Sequence, residues 1–159
     1  MKLSAQEEYG LRCLLRVASA ESGESVAIPT IAAAEALSIA YVGKLMSVLR
    51  QGTFVASVRG QAGGYVLSRP PEEIAVADVL TLLGGRLFEP EFCDEFAGLE
   101  RICTHSIDCS MRSVWRSIQQ AIDRSLAGIT LKDLLRTESE VDALLAAPSV
   151  AGQPRRARR

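Results

Sequence analysis

Two short apolar runs joined by a glycine-rich turn decide the fold, and they occupy residues 54–67, FVASVRGQAGGYVL. The runs at the two ends have the β-branched and aromatic character of strands. The turn between them contains three glycines, which accept positive backbone angles that other residues avoid. The stretch therefore predicts a β-hairpin with Arg59 at the opening of its turn.

Three helices are predicted ahead of the hairpin, over residues 5–20, 30–37 and 39–50. Ser4, followed three residues later by Glu7, fits a capping box for the first helix. Pro29 suits the first turn of the second helix, and Ser38 can cap the third. The tight break between the second and third helices has the spacing of a helix-turn-helix, and the hairpin that follows is typical of a wing.

After the hairpin the sequence predicts a short helix over residues 77–83 and a long helix over residues 110–126 that ends before Gly128. A further helix is predicted from Thr130 through Leu135, with an extension to Leu145. One face of the long helix is an apolar stripe, formed by Met111, Val114, Trp115, Ile118 and Ile122. This stripe exceeds what a solvated helix exposes, so we expect it to bury against its own copy in a homodimer.

The overall composition suits a helical protein with an aliphatic core, because hydrophobic residues make up 48% of the 159 residues and aromatic residues only 5%. Residues 1–69 carry seven basic and five acidic side chains, whereas residues 70–110 carry two basic and nine acidic ones. The net charge of −1 therefore conceals a mildly basic N-terminal region, and nucleic-acid binding is not excluded.

No stretch of about 18 uncharged apolar residues is present, so the sequence predicts neither a transmembrane helix nor a membrane partner. Residues 1–8 lack the apolar core and the small-residue cleavage site of a signal peptide. We therefore expect a cytoplasmic protein. In the cytoplasm thiols stay reduced, and clustered cysteines bind metals more often than they form disulfides.

Three of the four cysteines, Cys93, Cys103 and Cys109, lie within seventeen residues of one another in an acidic, turn-rich stretch. Three soft ligands in one loop indicate a metal or cluster site that needs a fourth ligand from elsewhere. A zinc site and a redox disulfide remain alternatives at this point. Cys13 lies on the first helix, where we expect a small buried apolar residue.

An enzyme is not expected. The chain has one histidine, no glycine-rich phosphate loop after a strand, and no paired carboxylates on a recognisable scaffold. An adaptor protein that uses its winged helix for protein contacts and its cysteines for zinc or thiol switching is the alternative to a DNA-binding regulator. Salt-dependent binding to duplex DNA would separate the two.

Three segments, MKLS at residues 1–4, LSIAYVGKL at residues 37–45 and VRGQAGGYVL at residues 58–67, resemble the Rrf2 family, the IscR, NsrR and RirA group of winged-helix regulators. The resemblance runs from residue 1 to about residue 135. It implies a homodimeric transcription factor, most simply a repressor, that binds a palindromic double-stranded DNA operator. It also implies an iron-sulfur cluster, of the 2Fe-2S or 4Fe-4S type, whose state controls that binding in response to redox conditions, nitric oxide or iron and cluster status.

The fold class that follows is mainly α with a small β wing, a winged helix-turn-helix plus a long dimerisation helix. We divide the chain into a DNA-binding domain at residues 1–84, a cysteine-containing cluster loop at residues 85–110, a dimerisation helix and C-terminal helix at residues 111–146, and a disordered tail at residues 147–159.

A recognition helix presents short polar or flat side chains to base edges near its N-terminus. The expected DNA-binding residues are Ser38, Ala40, Tyr41, Lys44, Arg59 and Gly60. By the resemblance, Arg59 enters the adjacent minor groove. The alternative makes Tyr41 a packing residue and Arg59 a solvated turn charge.

The resemblance assigns Cys93, Cys103 and Cys109 as cluster ligands. The gap between the first two is longer than the family usually has, which leaves the cluster type open. Two residues are candidates for the fourth ligand. Glu8 matches an acidic position that serves in the partner subunit of some family members, and His105 lies inside the loop itself.

Overall fold

The computed structural model describes residues 3–21, 23–60, 63–89, 91–97, 103, 105 and 108–146. The helices are α1 Ala5–Ala18, α2 Ile28–Glu35, α3 Ile39–Gln51, α4 Val76–Gly84, α5 Phe92–Glu95, α6 Ser110–Leu126 and α7 Glu138–Ala146. The strands are β1 Val55–Val58 and β2 Gly64–Leu67, and short 3-10 turns cover Pro71–Glu73 and Asp133–Leu135. This is the mainly α fold with a small β wing that the sequence predicts.

The contacts between residues divide the chain into two compact units. The first unit consists of residues 1–85 and 128–159, and the second unit consists of residues 86–127. The second unit is therefore inserted into the chain of the first. The division by function that the sequence predicts, with boundaries at residues 84, 110 and 146, stays a prediction. Its tail, residues 147–159, lies outside the described residues.

The core of the first unit packs α1 against α3 and α4 and closes on residues 129–131. Its largest fully buried side chains are Leu14, Ile31, Leu45, Met46, Leu49, Ile74 and Leu131. Cys13 lies among them, and burial raises the pKa of its thiol to about 11. A thiol with that pKa stays protonated near neutral pH, so Cys13 acts as a small apolar core residue.

The break between α2 and α3 is short because Ala36 ends the first of these helices and Ser38, two residues later, begins the second. Ala36 takes a left-handed backbone conformation, φ 55° and ψ 40°, at the end of α2. Ser38 then begins α3, and its hydroxyl oxygen accepts the backbone N–H of Tyr41 at 3.2 Å. The two helices meet at a bend of 114°.

The two strands pair antiparallel, with Val55 opposite Leu67 and Ser57 opposite Tyr65. The hairpin is joined to the linker between α1 and α2 by a bridge in which Val26 and Tyr65 exchange two backbone hydrogen bonds of 2.9 Å. The wing is thus fastened to the helix-turn-helix through the main chain. Residues 61 and 62, at the tip, lie outside the described residues.

The helix predicted from Thr130 through Leu135 is wrong. Thr130 pairs with Ala75 in a β-bridge, which requires extended backbone, and the Asp133 carboxylate accepts both the N–H and the hydroxyl of Thr130. A 3-10 turn at Asp133–Leu135 follows, and regular helix resumes only at α7.

Among the described residues, no single helix is long and apolar enough to cross a membrane. Helices α2 and α3 reach that length and hydropathy only when they are counted together across their sharp bend.

Candidate nucleic-acid interface and cysteine unit

The N-terminal turn of α3 presents a set of small and polar side chains to solvent. Ser38, Ala40 and Lys44 are exposed, as the sequence predicts for a reading surface. Gly43 lies between them along the helix, and the space around the position of its absent Cβ is open to 4 Å. Gly43 therefore leaves room for another molecule to approach the backbone of α3 closely.

Tyr41 is only partly available to this surface. Its side chain is half-buried, packs against the core, and meets the ring of Tyr9 edge-on with a centroid distance of 6.1 Å. Tyr41 is thus at least partly a packing residue, as the alternative interpretation of the sequence has it, and only its exposed edge is open to other contacts.

Ile39, the first residue of α3, is an exposed residue that the sequence prediction omitted. It is 60% exposed, although isoleucine is among the residue types most often buried. Its neighbours on the helix surface are the small or polar residues just described. The sequence does carry a signal for this exposure. Ile39 directly follows the cap Ser38 and lies outside the stripe of α3 that is buried in the core.

The wing places Arg59 and Gly60 at an exposed turn. Gly60 has φ 121°, a conformation that other residues rarely adopt, and its carbonyl accepts the Gly63 N–H at 3.0 Å. Gly64 lies so close to the linker that an added Cβ would be 2.6 Å from the Val26 carbonyl oxygen. Glycine therefore occupies both ends of the hairpin turn, and Arg59 directly precedes the first of these glycines.

Helices α1 and α2 are joined by a cluster of three charges that we call the arginine brace. Arg12 Nε lies 2.7 Å from Glu35 Oε2, and Arg16 Nε lies 2.5 Å from Glu35 Oε1. The Glu35 side chain is 6% exposed, whereas both arginines are about half exposed. Burial alone would raise the pKa of Glu35, but the hydrogen bonds from Arg16 and Arg12 outweigh it and hold that pKa below its ordinary value.

The second unit carries three half-buried cysteines with free thiols. Cys93 lies on the one-turn helix α5, and Cys103 lies on the segment between α5 and α6. Cys109 caps α6, where its sulfur accepts the Arg112 N–H at 3.4 Å. Half-exposed thiols of this kind are accessible to a metal ion.

The thiol donor set suits iron or zinc, but it is not assembled in advance. Within the part of the chain that the structure describes, no three His, Cys, Asp or Glu side chains converge on a point that could hold a metal ion. His105 is exposed in the second unit, and Glu8 is exposed in the first turn of α1, in the first unit. The loop would have to rearrange for three thiolates to share one metal centre.

Hydrogen bonds fix the start of the second unit to its long helix. Arg86 Nη2 lies 2.6 Å from Asp123 Oδ2, and the Phe88 N–H donates to Gln119 Oε1 at 3.2 Å. A hydrogen bond from Gln119, with Arg86 beside it, lowers the pKa of Asp123. The chain that leads to Cys93 is therefore attached to α6.

The apolar stripe of α6 is largely open to solvent. Met111 is 53% exposed, Val114 54% and Trp115 39%, while Ile118 and Ile122 are half-buried. Exposed apolar side chains that line up along one helix mark an interaction surface more often than a solvated face.

Three comparisons place this architecture among known proteins. The Rrf2 family model, described as an iron-dependent transcriptional regulator, matches residues 3–137. Protein rrf2 of Nitratidesulfovibrio vulgaris is 36% identical over 139 residues, which are 87% of this chain and 90% of that protein.

Two solved structures have similar folds. CymR, described as the global cysteine regulator of B. subtilis, aligns with a TM-score of 0.66 and 30% identity over 84% of this chain and 95% of that one. IscR of T. potens aligns with a TM-score of 0.66 and 32% identity over 85% of this chain and 86% of that one.

Proposed function

This chain belongs to the Rrf2 family of winged-helix transcriptional regulators, and on that premise we propose that it is a cytoplasmic homodimer whose affinity for a double-stranded DNA operator is set by an iron-sulfur cluster. Regulators of this class are not enzymes, and the proposal includes no catalytic activity. It assigns the reading of DNA to the first unit and the sensing of redox state, nitric oxide or iron to the second.

The reading surface consists of the exposed start of α3 and the wing. Ser38, Ala40 and Lys44 can reach base edges in the major groove, because the N-terminal turn of a recognition helix enters that groove first. Arg59 and Gly60 on the wing suit the adjacent minor groove, where negative potential attracts arginine. Both roles depend on exposure, and these five residues are exposed.

One observation carries the sensing proposal: three half-exposed thiols belong to the same second unit, whereas Cys13 is buried in the core of the first. Cys93, Cys103 and Cys109 would supply three thiolate ligands, and Glu8 of a partner subunit or His105 the fourth. A bound cluster supplies reversible electron transfer and reactivity toward nitric oxide. The second unit would have to rearrange, since the three thiols do not converge on one point among the described residues.

Anaerobic purification followed by iron, sulfide and zinc analysis tests this proposal. We expect a brown or red protein that loses visible absorbance and iron together when Cys93, Cys103 or Cys109 is replaced by Ala. Cys13→Ala is the matched control and should keep both. A variant without all three loop thiols that still holds iron would contradict the ligand assignment.

DNA binding by the holo and apo forms tests the regulatory part. We expect the two forms to differ in operator affinity by ten-fold or more, within the usual range of roughly 1–3 kcal/mol for allosteric coupling. Equal affinities at matched salt, with cluster content verified before and after, would mean that the cluster has a structural role only.

A thiol switch without a cluster is the second candidate. It is favoured by the absence of a preformed three-ligand group among the described residues and by the similarity to CymR, a cysteine regulator by description. This candidate predicts a colourless protein without iron whose DNA affinity still changes on oxidation. A colourless protein with bound zinc would instead favour a zinc-binding adaptor.

Replacing Arg59 tests the wing. Arg59→Ala should weaken operator binding by about 1–3 kcal/mol and reduce the slope of log affinity against log salt by about one, since one charged contact is lost. Lys132→Ala removes another exposed charge, ion-paired with Glu72 at 3.6 Å, from the segment after α6 and should leave the slope unchanged. An unchanged slope in Arg59→Ala would exclude the minor-groove role.

A further inference from the structure

Ile39 is the largest apolar side chain among the exposed residues at the start of α3. It is 60% exposed, and four residues further along the same face the helix has Gly43, which leaves open space. The next residue, Ala40, contributes a single methyl group, so the branched side chain of Ile39 extends further from the helix than its small neighbours.

The chemistry around Ile39 indicates what would cover it. Ser38 and Lys44, on the same surface, offer a hydroxyl and an ammonium group, and Arg59 on the wing adds a second exposed cation. A cationic and polar surface around an exposed aliphatic side chain suits a polyanion that carries apolar groups of its own. Duplex DNA is such a ligand, because each thymine presents a C5-methyl group in the major groove.

From this geometry we infer that Ile39 is a specificity-determining residue that contacts a thymine methyl group in each half of the operator. The inference rests on the proposed DNA binding and adds a base identity to it. The free protein leaves Ile39 in water, so burial against the methyl group removes apolar surface from solvent in the complex. This gain is available only at an A·T pair in one orientation.

Uracil substitution tests the contact, since uracil differs from thymine only by the missing methyl group. A duplex of about 30 base pairs, selected in vitro from a random library by the full-length protein, spans two half-sites one helical turn apart. Each thymine is then replaced by uracil in turn, and affinity is measured by fluorescence anisotropy at fixed salt.

At one position in each half-site, uracil should weaken binding of the unmodified protein by about four-fold, which corresponds to one buried methyl group. Ile39→Ala should bind the thymine duplex more weakly and show no further loss with uracil at that position. Leu145→Ala, which truncates another exposed apolar side chain in the first unit, should keep the pattern of the unmodified protein. Ile39→Ser serves as a second variant, and circular dichroism verifies the fold of each.

The inference is overturned if Ile39→Ala keeps the uracil penalty, because another group then reads the methyl. It is also overturned if the unmodified protein is indifferent to every uracil. If the protein selects no duplex from the random library, that separate result would refute the DNA-binding proposal itself.

Discussion

Glu35 has a carboxylate with almost no access to water, yet it remains charged. Two arginines one helical turn apart on α1 donate to its two oxygens, which connects the first helix to the end of the second. A buried carboxylate held in this way is costly to leave without its partners. The brace thus fixes the position from which the turn into α3 departs.

Neutralising this carboxylate should lower stability in a pH-dependent way. Glu35→Gln should reduce the free energy of unfolding by roughly 1 kcal/mol near neutral pH, a charged hydrogen-bond value discounted for the exposure of both arginines. The folded-state pKa of Glu35 is depressed, so its contribution is present above the unfolded pKa and is lost as pH falls through the folded pKa.

Urea unfolding at several pH values measures this effect. The difference between the two proteins should be constant above a pH of about 5 and shrink below about 4.3, the ordinary glutamate pKa. Glu73→Gln, an exposed carboxylate on a 3-10 turn, should change stability by less than about 0.5 kcal/mol. A difference that persists unchanged at acidic pH would show that shape rather than charge matters at position 35.

At the scale of elements, the turn between α2 and α3 contains a local conflict. Ala36 is left-handed at φ 55°, where its Cβ crowds the following carbonyl. The surrounding contacts impose this conformation, since the N–H groups of Ala36 and Leu37 both donate to the Ala32 carbonyl. Glycine is the residue that this end of a helix ordinarily prefers.

Glycine at position 36 should therefore stabilise the protein. Ala36→Gly should raise the free energy of unfolding by about 0.5–1 kcal/mol, because relief of the left-handed strain exceeds the added freedom of the unfolded chain. Ala33→Gly makes the same chemical change at an exposed interior position of α2 and should lower stability by about 1 kcal/mol. Effects of the same sign in the two variants, measured by urea unfolding, would contradict the assigned backbone conformation.

Elements with a local signal are predictable from this sequence. The bounds of α6 agree with the prediction, because its apolar residues repeat with the helical period and Gly128 follows. The helix predicted from Thr130 is wrong, since the extended backbone of this segment is set by pairing with Ala75, far away in the sequence. Pairing between residues that are distant in the sequence produces no periodic pattern of apolar residues from which it could be predicted.

The same distinction applies to the candidate site. Ser38 as a cap and Lys44 as an exposed cation follow from their positions on one helix. The arginine brace does not, because nothing in the spacing of Arg12 and Glu35 connects them until α1 and α2 pack together. The exposure of Ile39 likewise depends on how α3 is rotated against the core.

At the scale of the whole molecule, the exposed stripe on α6 points to a two-fold assembly. A helix that exposes a methionine, a valine and a tryptophan along one side gains free energy by covering them. A symmetric pair of α6 helices would do so with one surface and would provide two reading heads for a palindromic operator.

A charge in the stripe should abolish this assembly. Val114→Glu should give a monomer in analytical ultracentrifugation, because the carboxylate would be buried without a partner in the dimer. Ser113→Glu adds the same charge on the opposite side of α6 and should remain dimeric. A soluble Val114→Glu dimer would show that another surface joins the subunits.

The insertion of the second unit also orders events during protein synthesis. Leu131, fully buried in the core of the first unit, is encoded after the whole of the second unit. On the ribosome, residues 86–131 take roughly 2–9 s to appear at about 5–20 residues per second. For that interval the nascent first unit lacks Leu131, whose backbone N–H donates to the Ile74 carbonyl in the folded protein, and its core is incomplete. A message cut short inside the second unit therefore yields a first unit with an incomplete core, and we expect such a fragment to be less stable than the full chain.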